Sequence, residues 1–531
     1  VTTPPTSAAL ADFRVDGALG FWEIAAVRPD RVAVVAADGA ETTFGELRAR
    51  ADAVAAGLIG LGLSAGDTVA LVMANEPAFL TVQLATSQIG MYLTPVNRHL
   101  TALEIAYILD NSDAAVLVTA GVPVALVAEA ADLAGLPPER RFAVGCAPGF
   151  RDFGELAGPA ATGSSPASFS RRVGDTMLYS SGTTGRPKGV RRALRDMTPE
   201  QSLSRGLPLM RARYGMPPGP GTHLVVAPLY HAAPNGFALM ALHLGQTLVL
   251  MDKWDAEQAL ALVQRYGVTS THMVPTMFHR LLALPHSVRN SCDLSSLEYV
   301  VHAGAPCPVL DKQRMLEWWG PIIFEYYSST EGGGTAVGPQ DWLRHPGTVG
   351  RAWPDAEVRI LDGAGDEVPA GTVGGVYFHN DTVFEYHKDP EKTAAARHGV
   401  FYTAGDLGHL DQDGWLFLSD RRGDLIISGG VNIYPAEVEE ALLSHPAVAD
   451  VGVIGLPDPE WGATVHAVVQ PTEDAVAGDD LADEILRFCA DRLARFKRPR
   501  TLEFRPVPRT LTGKLSRSAL RRAVLGEGTD R

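Results

Sequence analysis

Short apolar runs alternate with helical stretches along most of this chain, and that alternation restricts its fold more than any other feature. Residues 68–73 form an apolar run bounded by Gly66 and Asp67, and 114–118, 224–228, 247–251 and 299–301 are similar. Each is short for a helix and reads as a strand buried on both faces. Helical spacing appears between them. Thr43 and Glu46 form a T-x-x-E capping box. Leu47, Ala51, Val54, Leu58 and Leu61 then recur at intervals of four and three, which predicts a helix with one apolar face. Residues 103–109 are read as another helix. Strands separated by helices imply a mostly parallel sheet covered by helices. The most apolar region, 224–250, is interrupted by His231, Asn235, His243 and Gln246. It reads as a buried strand–helix–strand, and no run of about 18 apolar residues suggests a membrane span.

A chain of 531 residues exceeds one ordinary core, so two or more domains are expected. Glycines at 363, 365, 371, 374 and 375 punctuate a later β-rich region that includes the run 376–379. The charged, glycine-ended stretch 420–423 reads as a linker. A compact unit follows, with helices expected at 436–443 and 481–493 and strands at 448–453 and 464–469. The net charge of −15 excludes general nucleic-acid binding, which needs a basic stripe. Cys146, Cys292, Cys307 and Cys489 lack C-x-x-C spacing. They point to a reducing, cytoplasmic compartment without structural zinc. Asp12, Arg14 and Asp16 interrupt the N-terminus before any apolar segment, against a signal peptide.

The stretch YSSGTTGRPKGV, residues 179–190, concentrates hydroxyls and glycines before one lysine. Glycines let backbone approach a ligand closely. Hydroxyls, N–H groups and Lys188 suit phosphate oxygens. It is not a P-loop: counting from Gly182, Pro187 stands at the second glycine position, and Gly189 follows Lys188. The string Gly60-Leu-Gly62-Leu-Ser-Ala65 fits G-x-G-x-x-A on paper. It ends a helix and precedes a strand, the reverse of a dinucleotide turn, and reads as a helix end.

The full string resembles the phosphate-binding signature of the adenylate-forming superfamily, which includes acyl-CoA synthetases, adenylation domains of peptide synthetases and beetle luciferases. YYSSTEGGG (326–334), YTAGDLGHLDQDGWLFL (402–418), DRRGDLIISGGVNIYPAEVE (420–439) and PRTLTGKLSRSALR (508–521) resemble its further motifs, in the right order. The resemblance implies an α/β fold with a large N-terminal domain (1–420) of mostly parallel sheets covered by helices plus a β-rich subdomain. A hinge (421–423) and a small mobile α+β C-terminal domain (424–531) would follow. It implies an acid–thiol ligase that uses ATP, Mg²⁺ and CoA.

In that family a carboxylate is converted to an acyl-adenylate, and cations and donors converge on the α-phosphate. By resemblance, Thr183, Thr184 and Lys188 hold the β- and γ-phosphates, Thr330 touches the α-phosphate, and Glu331 helps to hold Mg²⁺. Asp406 takes the ribose hydroxyls, with Arg421 assisting. Tyr327 and the Gly304-Ala305-Pro306 turn flank adenine. Lys514 bridges the carboxylate and the α-phosphate, and His231 gates the acyl pocket against water. In the second half-reaction the C-terminal domain rotates about Gly423, Lys514 leaves, and Gly429 and Gly430 line the pantetheine path. Phe496, Arg498 and Arg500 are expected to meet the nucleotide end of CoA. GVRRAL, VHAGAPCP and EWWGPIIFEYY are similar to bacterial ligases of bulky acids, the bile-acid-CoA-ligase-like branch, and suggest a polycyclic acid such as a diterpenoid acid in an actinobacterial secondary-metabolite pathway.

Two departures stand out. Gly423 replaces the usual Asp or Lys at the hinge, and Ser328 replaces a glycine bordering the acyl and nucleotide sites, where its CH₂OH is expected to crowd one conformation. Together they raise the alternative of a chain that mainly performs thioesterification on adenylate supplied by a partner ligase. A carrier-loading adenylation enzyme and a luciferase-like oxygenase are further alternatives; intact Lys188, Glu331 and Lys514 disfavour a non-catalytic binder. The expected partners are a small-molecule carboxylic acid and CoA. A homodimer is compatible with the reading; nucleic acid and a membrane span are not expected.

Overall fold

The computed structural model describes residues 8–157, 169–180, 187–421, 424–428, 431–458, 461–490, 492–493, 495–510 and 513–526. Two large sheets dominate. The first has six strands, all pairing in parallel, in the order Arg151–Asp152, Arg141–Ala143, Ala114–Ala120, Thr68–Met73, Tyr92–Pro95 and Asp175–Thr176. Thr68–Met73 lies inside it, buried along its whole length, which is why its sequence does not alternate. The second sheet has nine strands. Its parallel centre runs Ile323–Ser329, Tyr299–His302, Ser270–Met273, Thr222–Val225, Thr247–Leu250 and Val32–Val35.

The helices form where the sequence signals them. Phe44–Gly60 begins at the Thr43/Glu46 capping box and buries Leu47, Ala51, Val54 and Leu58. It stops at Leu61, followed by Gly62 at φ +84. Ala102–Asn111 begins at a second capping box, Thr101 with Glu104. The apolar stretch after residue 222 is strand Thr222–Val225, helix Ala232–His243 and strand Thr247–Leu250. Among the described residues no helix is long and apolar enough to cross a membrane.

A β-rich layer follows. Glu357–Leu361 and Gly374–His379 pair antiparallel, and Asp406–Leu410 pairs with Leu416–Arg421. The last strand runs through Arg421, so Asp420 and Arg421 belong to a sheet ladder rather than to a linker. The C-terminal unit has its own core, including Ile433, Val438, Leu442, Val453, Ala467, Ile485 and Cys489. Val448–Asp458 and Gly462–Pro471 form its long antiparallel pair, Thr501–Phe504 adds in parallel, and helices Pro435–Leu443, Asp479–Ala490 and Arg517–Leu525 accompany them. The helix expected at 481–493 ends at Ala490. Leu493 is nevertheless buried, so the apolar spacing there continues beyond the helix.

Candidate active site

The central strands of the nine-stranded sheet point their carboxyl ends toward one cleft, the usual place for a ligand in an open α/β sheet. The segments after Thr222–Val225, Ser270–Met273 and Tyr299–His302 supply His231, Thr276 at the start of helix Pro275–Ala283, and Gly304 to it. Ala305, Pro306, Tyr327, Thr330, Glu331, Asp406, Lys188 and Lys514 line the same cleft, whose volume is about 2410 Å³. Gly304 has φ +88, a conformation that favours glycine. The cleft thus joins residues separated by more than 300 positions in sequence.

The phosphate-loop lysine is positioned by a hairpin. Leu178–Ser180 pairs antiparallel with Lys188–Arg192, and that strand pairs in turn with Phe384–Tyr386. Val190 faces Tyr386 across the ladder, and Lys188 Nζ stands 4.7 Å from the Tyr386 ring centroid. The Tyr386 hydroxyl donates to Glu331 Oε1 at 2.7 Å, and Glu331 is buried. Arg192 donates to the Thr330 carbonyl at 2.6 Å. Thr183 and Thr184 lie outside the described residues. Neither Tyr386 nor Arg192 stood out as a site residue in the sequence, and the Tyr386 contact arises only from strand pairing. Among the described residues no group of three or more His, Cys, Asp or Glu side chains could cage a metal. Glu331 alone, with its carboxylate fixed by Tyr386, suits Mg²⁺, which takes one or two carboxylates and completes its shell with phosphate and water.

The Tyr327 hydroxyl donates to Asp406 Oδ2 at 2.6 Å, and Asp406 is itself buried. Backbone register sets Asp406 opposite Arg421, whose side chain lies outside the described residues. Losing the phenol leaves a buried carboxylate short of a donor, at a cost of about 1–3 kcal/mol. Tyr327→Phe is therefore expected to raise KM for ATP about 5- to 150-fold, with kcat much less affected; steady-state kinetics with varied ATP check this.

In this arrangement the Ser328 side chain is accommodated. Its hydroxyl donates to the Gly333 carbonyl at 2.7 Å, with the Ser329 carbonyl at 3.2 Å as the weaker alternative acceptor. The added CH₂OH is taken up by the hairpin's own backbone. Gly423, Gly429 and Gly430 lie outside the described residues.

Lys514 reaches the cleft from the C-terminal unit, with Cε within about 4 Å of where a Gly304 Cβ would stand. Its loop is a tight turn. Thr510 N–H donates to the Lys514 carbonyl at 2.8 Å, and Gly513 N–H to the Thr510 carbonyl at 2.8 Å. Arg509 grips Asp450 through two bonds of 2.6 Å and donates to the Gly513 carbonyl at 2.9 Å. His231 occupies the N-cap position of helix Ala232–His243, with no capping bond from its side chain. Burial, with the Lys514 charge second, pushes its pKa down to about 3, so its ring is neutral at physiological pH.

A second contact joins the two units. His279 Nδ1 pairs with Asp311 Oδ2 at 2.9 Å. The hydrogen bond to Asp311 raises its pKa against opposing burial, and Asp450 and the Ala449 carbonyl of the C-terminal unit raise it further. A pKa raised above the unfolded value of about 6.5 gives stability that is fully present below 6.5 and lost as pH rises through the folded value. The stability margin of wild type over His279→Gln is expected to be larger at pH 6 than at pH 9, as measured by thermal unfolding.

The expected CoA segment lies apart from the cleft. Arg498 donates to the carbonyls of Ala490 at 2.6 Å and Leu493 at 2.9 Å, capping the end of helix Asp479–Ala490. The Arg500 guanidinium carbon stands 4.9 Å from the Trp461 ring centroid. The Phe496 side chain lies outside the described residues.

Residues 21–386 match the family described as AMP-binding enzyme, and 437–514 match the AMP-binding enzyme C-terminal domain. The chain is 31% identical over 490 residues to the long-chain-fatty-acid–CoA ligase FadD13 of Mycobacterium tuberculosis, covering 90% of this chain and 92% of that protein. It is 32% identical over 504 residues to the fatty acid–[acyl-carrier-protein] ligase ScoC of Streptomyces coeruleorubidus, covering 93% of each. The anthranilate CoA ligase AuaEII, solved with anthranoyl-AMP, superposes with a TM-score of 0.83 at 26% identity, covering 96% of this chain and 97% of that one. With both of its units matched in order, the chain belongs to the AMP-binding enzymes of the adenylate-forming superfamily.

Proposed function

We propose that this enzyme activates a bulky carboxylic acid with ATP and passes the acyl group to the thiol of CoA. It is an acid–thiol ligase of the AMP-forming class. The observation that carries the reading is the convergence of Lys514, from the C-terminal unit, with Lys188, Thr330, Glu331 and Asp406 in one cleft.

In the first step a substrate carboxylate oxygen attacks the α-phosphorus, and pyrophosphate leaves. Negative charge grows on the α-phosphate oxygens, where preorganised donors are most effective. Lys514 bridges the carboxylate and the α-phosphate, and Thr330 donates to the latter. Lys188, with Thr183 and Thr184, holds the departing phosphates. Asp406, steadied by Tyr327 and assisted by Arg421, takes the ribose hydroxyls, and the Gly304-Ala305-Pro306 turn flanks adenine with Tyr327. Mg²⁺, when bound beside Glu331, neutralises phosphate charge. In the second step the CoA sulfur attacks the anhydride carbonyl, and AMP leaves. The neutral His231 ring shields that carbonyl from water. The domains alternate as 1–420 and 424–531 about the hinge 421–423, with Gly429 and Gly430 lining the thiol path.

The test is to assay pyrophosphate exchange and CoA-thioester formation separately across fatty, aryl, steroid and terpenoid acids. Exchange and thioester formation with bulky acids support the reading; neither reaction with any acid removes it. Arg498 caps a helix, so a variant there also loosens the domain. Phe496→Ala with Arg500→Ala is the cleaner probe of CoA. It is expected to raise KM for CoA several-fold and leave pyrophosphate exchange unchanged, because CoA is absent from that half-reaction. An unchanged KM, with efficient acylation of a carrier protein, would favour the carrier-loading alternative.

A further inference from the structure

We infer that Arg192 is a further catalytic residue, whose guanidinium bonds the α-phosphate oxygens and carries their charge in the second half-reaction, after Lys514 has withdrawn. The inference rests on the ligase reading above. In that step the CoA thiolate, its proton released to solvent, attacks the acyl carbon. A C–S bond forms, the bond from that carbon to the phosphate oxygen breaks, and its electron pair stays on the oxygen. AMP leaves with a second negative charge on its phosphate. Lys514 is then no longer beside it, and Lys188 serves the β- and γ-phosphates, which have departed as pyrophosphate. The charge that builds on AMP calls for a cation fixed in the N-terminal unit.

The strand that carries Lys188 supplies one. Residues four apart on a strand share a face, about 13 Å from one to the other along the backbone. Strand Lys188–Arg192 therefore sets a cation at each end of one face, with buried Val190 between them against Phe384 and Tyr386. Each cation meets one residue of the Thr330-Glu331 pair. At one end Lys188 lies over the Tyr386 ring, whose hydroxyl holds Glu331. At the other, Arg192 Nη2 donates to the Thr330 carbonyl at 2.6 Å. The carbonyl and hydroxyl oxygens of one threonine lie within about 5 Å of each other. A phosphate oxygen that bonds Thr330 Oγ1 thus comes within reach of the same guanidinium.

The guanidinium has donors to spare. Among the described residues the Thr330 carbonyl is the one hydrogen-bond partner of the Arg192 side chain. None of its nitrogens is both buried and unpaired, so those without a protein partner are open to the cleft, which Arg192 and Thr330 both line. An arginine has several N–H donors in a planar fork that suits phosphate. Arg213, another cation of the cleft wall, is by contrast committed to Asp355, with Nε at 3.0 Å.

The test separates charge from shape. Binding of AMP and of adenosine is measured by calorimetry in a Lys514→Ala background, so that the mobile lysine contributes to neither. AMP is expected to bind about tenfold or more tighter than adenosine. Adding Arg192→Met should bring that ratio toward one and leave adenosine affinity alone, whereas Arg192→Lys, which keeps the charge, should retain a preference for AMP. In the otherwise wild-type chain, Arg192→Met should lower kcat for thioester formation about 10²-fold, with KM for CoA unchanged. The substrate is palmitoyl-, cinnamoyl- or cholanoyl-adenylate, whichever the wild type uses fastest. Should Arg192→Met fail to fold, Arg192→Gln, which keeps a donor for the Thr330 carbonyl without the charge, decides. A merely structural hold on that carbonyl would weaken AMP and adenosine together, or spare thioester formation. Either result overturns the inference while the ligase reading stands. Binding of neither AMP nor adenosine by the wild type, with no thioester from any of the three adenylates, overturns both.

Discussion

Lys514→Ala is expected to abolish acyl-adenylate formation and to spare thioester formation from adenylate supplied ready-made. Lys514 meets the cleft in the docked arrangement of the C-terminal unit, beside the Gly304 turn and within the electrostatic reach of His231. On the proposed reading its removal takes away a cation at the point where charge grows on the α-phosphate. Losing one such donor typically lowers kcat by about 10²–10³, or about 2.7–4 kcal/mol. Pyrophosphate exchange reads the first half-reaction, and thioester formation from synthetic acyl-adenylate and CoA reads the second. Equal loss in both would count against domain alternation, because a lysine that leaves the site cannot serve the second step.

Gly513→Ala should reproduce much of that loss without touching the lysine. Gly513 has φ +72, and a Cβ added there would lie 2.0 Å from Thr276 Oγ1 in the N-terminal unit. The backbone conformation costs a non-glycine residue about 1–3 kcal/mol in either arrangement, because the turn is fixed within its own unit, whereas the clash falls on the docked arrangement alone. The expected result is a fall in pyrophosphate exchange of about 100-fold, with the second half-reaction close to wild type. Combining it with Thr276→Ala should recover most of the exchange, because the clash is the part specific to docking. Wild-type exchange by Gly513→Ala would mean that the docked arrangement seen here is not the adenylating one.

What the sequence announced was local. A capping box needs residues three apart, and both Thr43 with Glu46 and Thr101 with Glu104 form one. Burial on both faces makes a strand such as Thr68–Met73 visible as an unbroken apolar run. Lys188 and Lys514 each stand in a compact signature, and both line the cleft. The groups that orient them were not legible. Tyr386 reaches Glu331 only because Phe384–Tyr386 pairs with Lys188–Arg192, a register that no spacing announces. Helix 481–493 was read too long because periodicity reports burial, and Leu493 is buried without being helical. At Ser328 the sequence shows the added volume but not the hairpin carbonyls that its hydroxyl meets in this arrangement.

The grip of Arg509 on Asp450 and on the Gly513 carbonyl has a mechanical consequence. Asp450 belongs to the long strand Val448–Asp458, so the lysine turn is bolted to the central ladder of its unit. If the C-terminal unit swings between the half-reactions as proposed, the lysine is the tip of a lever rather than a loose tether, and its withdrawal is all-or-none. The temperature dependence of the switch between half-reactions should accordingly follow the undocking of a surface, not the melting of a loop.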